Sequence, residues 1–137
     1  MRRVGLLLLV SLLTVVLAPA AASGQYYVQQ HTTLVLEPLP AVIVTGDTIH
    51  FSGRLYVSEG GAPLANKTVY IEYDSPFEHT RILASVTTGA GGVFSVAWKA
   101  VPKGVGQCTY NLFAMFIGDD GNYYSISRQY QVLVLPS

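Results

Sequence analysis

Residues 110–135, YNLFAMFIGDDGNYYSISRQYQVLVL, decide how this chain folds. They hold two runs of alternating apolar residues around the cluster Gly118-Asp119-Asp120-Gly121-Asn122. Before the cluster, Tyr110, Leu112, Ala114 and Phe116 fall on one face of a period-two pattern. After it, Tyr130, Val132 and Val134 do the same. Two such runs separated by Asp-Gly and Gly-Asn dipeptides read as a β-hairpin or a tight β-connection. A pair of this length cannot hide its apolar face from water alone, so a second sheet has to cover it. The expectation is a β-sandwich with this as its closing pair.

The chain ahead of that pair repeats the theme. Residues 32–37, TTLVLE, read as a short strand rich in β-branched and aliphatic residues. Pro38 and Pro40 end it and place it at a sheet edge, because proline has no N–H to give to a ladder. From Thr48 to Tyr56, Ile49, Phe51, Gly53 and Leu55 alternate cleanly with Thr48, His50, Ser52 and Arg54, so one face is buried and the other wet. The turn cluster 58–63 follows. A third strand over 67–74 points Val69, Ile71 and Tyr73 inward and Thr68, Tyr70 and Glu72 outward, until Ser75-Pro76 breaks it. Residues 81–87 make a less regular fourth strand, with Ile82, Ala84 and Val86 as its inward set. After the glycine-rich turn 89–92, the strand 93–99 turns Phe94, Val96 and Trp98 inward, and 102–107 is a loop.

Seven strands with turn signals about every ten residues, and no helical period after the leader, predict an all-β, immunoglobulin-like seven-stranded β-sandwich. Tyr110 opens the sixth strand with Leu112 two residues on. In antibody-like domains that is the place of the corner tyrosine and a strand cysteine; leucine stands in for the cysteine here. A disulfide-free core around Trp98, Phe51 and Leu112 is expected.

These residues carry a resemblance. Gly61, Pro63, Leu64, Asn66, Thr68, Val69 and Ile71 are followed by Thr87, Thr88, Gly92, Phe94 and Ser95. Then come Phe116, Gly118, Asp119, Tyr123 or Tyr124, Ser125 and Ser127. In that order they resemble the bacterial and archaeal Ig-like repeat domains (Big type) of surface proteins. The resemblance spans roughly residues 33–135. It implies an extracellular structural or interaction role of adhesion type and no catalytic residues. Such domains usually stand in tandem, and this sequence holds one without a repeat of itself.

The leader agrees with export. Arg2 and Arg3 precede the continuous apolar run 4–17 and the small residues 18–22, where Ala20-x-Ala22 fits a signal-peptidase site. The organisation read from this is a signal peptide over 1–22, an N-terminal arm over 23–31 and the sandwich over 32–137. The protein is then extracellular or at the cell surface. An uncleaved signal anchor is the route by which it would be tied to a membrane. The full chain has 8 basic and 8 acidic residues. Losing Arg2 and Arg3 leaves a slightly acidic protein with no basic patch for phosphate, so nucleic acid is not an expected partner. Cys108 is the lone cysteine and reads as a small buried hydrophobe at a strand start.

Few residues carry chemistry, and neither a cofactor nor catalysis is expected. Asp119 and Asp120, with Asn122, offer the hard oxygen ligands that Ca²⁺ prefers, but they are also the residues a tight turn needs. His31, His50 and His79 lack the spacing of a zinc set. Asn66-Lys67-Thr68 is a glycosylation sequon on an exposed loop. Tyr70, Tyr123 and Tyr124 are candidates for a flat surface that binds protein or glycan, since tyrosine joins apolar area to a polar tip. Leu133 and Leu135 should face solvent or another chain on the last strand. This suggests self-association, in which one subunit donates its arm to the next and builds a pilus-like filament or surface layer. A carbohydrate-binding module is the other alternative.

Overall fold

The computed structural model describes residues 28–75, 78–101 and 108–137, without the side chains of 75 and 78–80. The expected signal peptide, residues 23–27 of the arm and the loop 102–107 lie outside these residues.

Nine strands are present among the described residues: β1 (Thr32–Leu36), β2 (Val42–Val44), β3 (Thr48–Val57), β4 (Thr68–Ser75), β5 (Glu78–Thr87), β6 (Val93–Lys99), β7 (Cys108–Phe116), β8 (Ser125–Ile126) and β9 (Tyr130–Leu135). They form two sheets packed face to face. One is β1-β3-β6; the other is β2-β9-β7-β4-β5, with β8 added beside β7. The seven expected strands are all there, β1 at an edge and ending ahead of Pro38 and Pro40. The two additions, β2 and β8, are three and two residues long. Pairs this short leave no periodicity to read.

The closing pair is real but is not a tight hairpin. β7 and β9 run antiparallel from Cys108↔Val134 to Leu112↔Tyr130. The connection returns along β7 through β8, where Met115 pairs with Ile126 and Phe116 with Ser125. Between those two registers Ser127 substitutes for a ladder residue. Its hydroxyl accepts the Ala114 N–H at 2.8 Å, while its own N–H donates to the Ala114 carbonyl at 2.9 Å.

The space between the sheets is filled by the alternating sets. Phe51, Leu55, Val69, Ile71, Leu112, Ala114 and Val132 are completely buried, with Trp98 and Cys108 packed against them. Each such large apolar side chain contributes about 1.5–3 kcal/mol by leaving water. Gly53 faces this core directly opposite Phe94. A Cβ on it would lie 1.9 Å from the Val35 carbonyl oxygen and 2.7 Å from Phe94 Cζ. The missing side chain makes room for the ring. Two tyrosines spend their hydroxyls on backbone: Tyr110 donates to Val101 at 3.1 Å, and Tyr130 donates across the sandwich to Leu36 at 3.0 Å.

Two expectations are corrected on the six-stranded sheet. Ile82 is not inward but 60 % exposed. Ile71 pairs with Ala84 whereas Glu72 pairs with Ile82, so Leu83 is an extra residue and the alternation slips there. Leu83 packs on the core in its place, together with Ala84 and Val86. Glu72 lies on the outer face as expected, yet it is buried rather than wet.

Candidate functional site

The turn 118–122 is held from three directions. Gly118 has φ +97°, a conformation side chains rarely adopt, and a Cβ there would also strike Tyr124 N at 2.8 Å. Asp119 Oδ1 accepts from Gly121 N at 3.0 Å and from Asn122 Nδ2 at 2.9 Å. Its Oδ2 meets Lys67 Nζ at 2.6 Å. The hydrogen bond from Lys67, ahead of the others, lowers the Asp119 carboxyl below its ordinary value. Asp119 is thus a turn former tied to the start of β4, and Asp120 is exposed. Among the described residues no three His, Cys, Asp or Glu side chains gather as a metal set.

The arm reaches the same turn. Gln30 and Asn122 form a parallel bridge, with Gln30 N donating to Gly121 O and Tyr123 N to Gln30 O, both at 2.9 Å. Gln29 Nε2 donates to Asp119 O at 3.0 Å, and the Thr32 hydroxyl lies 2.9 Å from both Tyr123 O and Ser125 Oγ. His31 stacks on Tyr123 with ring centroids 4.8 Å apart. The segment Thr32–Leu36 then pairs with β3 of its own chain. Neither His31 nor His50, exposed on β3, meets another histidine here; the side chain of His79 is outside the described residues.

The three tyrosines do not make one surface. Tyr123 is committed to His31 at the end of the sandwich. Tyr70 belongs to the outer face of the six-stranded sheet, where it pairs with Met115, and Met115 pairs with Ile126. This row is apolar and open: Ile126 is 51 % exposed, and Ile117 and Tyr124, which flank it along the chain, are 61 % and 65 % exposed. Tyr70 and Tyr124 are two of the tyrosines expected at a binding surface; Met115, Ile117 and Ile126 join them unexpectedly. The signal for the additions is that Met115 and Ile117 occupy the outward parity of β7, where polar residues are the rule.

Asn66 is exposed and takes φ 60°, a left-handed conformation that asparagine tolerates. The buried Thr88 fixes this loop. Its hydroxyl donates to Leu64 O at 2.6 Å and accepts from Lys67 N at 2.9 Å, while Asn66 N donates to Thr88 O. The sequon is therefore displayed on a rigid bend.

No protein-family model and no curated protein matches this sequence. Among solved structures, part of the β-glucosidase from Listeria innocua is similar in shape. The complex with glucose superposes with a TM-score of 0.47 at 12 % identity, covering 77 % of this chain and 16 % of that one. The complex with isofagomine gives 0.45 at 11 % identity over 79 % and 16 %. The similarity is of a β-sandwich domain to a small part of a much longer enzyme.

Proposed function

We propose that this chain is an exported immunoglobulin-like domain with a non-enzymatic, adhesion-type role at the cell surface, and that it binds through the outer face of its six-stranded sheet. The observation that carries this is the open apolar row Tyr70–Met115–Ile126 with Ile117 and Tyr124 beside it. Exposed apolar side chains grouped on a sheet mark a contact surface more often than scattered ones do. The immunoglobulin-type reading has its own support. β3 and β6 lie in one sheet and β4, β7 and β9 in the other, the division of strands B and E from C, F and G. Tyr110, at the start of the strand in the F place, bonds back to the chain at Val101 as a corner tyrosine does. The tryptophan departs from the antibody pattern, being on β6 instead of the C strand. The Ig-like repeat domains of surface proteins fit this arrangement, and a leader of signal-peptide pattern fits the compartment.

The test is retention of the purified protein on envelopes of the cells that make it. Ile126→Lys and Tyr124→Ala should each reduce retention about tenfold or more while leaving the fold intact, as interface anchors do. Equal retention of both variants would sink the proposal. Retention competed by free polysaccharide would redirect it to a carbohydrate-binding module.

The filament reading rests on a different observation, that β1 is an edge strand joined to the body by β3 and the 119–125 turn. In a filament, the arm of a second copy would take the same place. Light scattering over a concentration series separates the two. Growth that disappears on deleting residues 25–36 is the mark of strand donation, and a constant monomer mass excludes it.

A further inference from the structure

Glu72 is a poorly accommodated group on the outer face. It is 4 % exposed, and its Oε2 is buried without a hydrogen-bond partner. The register sets the buried Phe113 of β7 on one side of it and Ile82 of β5 on the other. The titratable and charged groups around it are few. Tyr70 and Asp74 lie two residues away on β4, and Arg81, beside Ile82 on β5, has contacts of its own. β7 offers only Asn111 and Met115 next to Phe113, and beyond it Arg128 lies over the Tyr130 ring at 5.4 Å. A carboxylate with one oxygen shut away from water and without a donor is disfavoured, so burial pushes the Glu72 carboxyl above its ordinary value.

The strand beside it is the one most easily moved. β5 is an edge, held by β4 alone within its sheet. Its register slips at Glu72, leaving Leu83 without an opposite number, and slips again between Tyr73 and Ser75. On its other side β4 is paired without a register shift to β7, which β9 backs in turn, so β5 is the flank of Glu72 that yields more readily.

We propose that Glu72 is a proton-operated latch on β5. Neutral, it stays beneath the surface with β5 closed on β4. Ionised, it draws in water by displacing the strand around Ile82 and Leu83. The direction of the coupling follows from linkage: the closed form holds the proton more tightly than the open one. Opening is rarest below the ordinary glutamate value of 4.5. It grows about tenfold per pH unit from there to the pH at which the closed form ionises, and is constant beyond.

Amide hydrogen exchange of the full chain between about pH 4 and 8, corrected for intrinsic rates, tests this. The amides of Ile82 and Leu83 should lose about tenfold or more in protection as pH rises. Those of Tyr110, Leu112 and Ala114 should keep theirs. Glu72→Gln, neutral throughout, should hold the β5 amides at their acid-side protection. Parallel profiles for the two proteins overturn the latch, as does a loss spread evenly over β5 and β7. If Glu72→Gln does not fold, the carbon-detected NMR titration of Glu72 in the unaltered chain decides, and ionisation at or below the ordinary value overturns it.

Discussion

β3 and β5 are each ten residues long, yet they obey different rules. β3 lies between β1 and β6 with unbroken register to both, and its burial alternates as its sequence does. β5 has one neighbour in its sheet and two register slips, and its most hydrophobic residue, Ile82, faces out. The lesson is that a two-residue period survives into three dimensions when both flanks pin the strand. At an edge, one inserted residue turns the remainder over.

The comparison can be broken by mutation, starting where the effect is greatest. Phe51→Ala in β3 removes a completely buried ring and should destabilise the protein by about 3–5 kcal/mol in urea melts. Gly53→Ala adds only a methyl group, but that methyl meets the Val35 carbonyl and Phe94. A loss of roughly 1–3 kcal/mol or more is expected, as for overpacked cores. A neutral result would mean that β1 yields easily, and β3 would not be pinned as described.

β5 should respond more weakly. Leu83→Ala, at the half-buried bulge position, should lower stability by about 1–2 kcal/mol, below the range of a fully buried leucine. Asp119→Asn breaks the Lys67 pair, whose members are 30 % and 34 % exposed, so solvent screening keeps the loss under about 1 kcal/mol. Its pH signature sharpens the contrast with Glu72. The Asp119 carboxyl is lowered in the fold, so its contribution is present above the ordinary value of 3.8 and fades as pH falls through and below it. Melts of the unaltered chain and Asp119→Asn should converge in acid. Ile82→Ala should change stability by no more than about 0.5 kcal/mol. A large loss there would show that Ile82 is covered after all.

Periodicity made the long strands legible. Ile49, Phe51 and Leu55 announce a buried face because His50, Ser52 and Arg54 beside them are polar. β2 and β8 were out of reach, since three and two residues carry no period and their partners lie far along the chain. The candidate site was less legible for the same reason. That Lys67 would occupy Asp119, 52 residues away, depends on how two sheet ends meet. Composition cannot distinguish such a turn from a loop awaiting a cation. The separation of Tyr123 from Tyr124 was likewise set by His31, a residue of the arm. Nor could an outward parity reveal that Glu72 is buried, because its neighbour Phe113 comes from β7, three strands further along the chain.

The parallel pairing of β2 with β9 also has a consequence in time. It joins Val42 to Leu133 and Val44 to Leu135, each pair 91 residues apart in the chain. β1 finds β3 nearby as soon as both have emerged, whereas β2 has no partner until residues 133–135 arrive. Closure of so long a loop is slow, although its entropy grows only by about 0.6 kcal/mol per doubling of length. During synthesis, the stretch between Leu36 and Thr48 is therefore a waiting segment. Its capture by β9 marks the moment at which the two sheets are stitched along their shared side and the sandwich is complete.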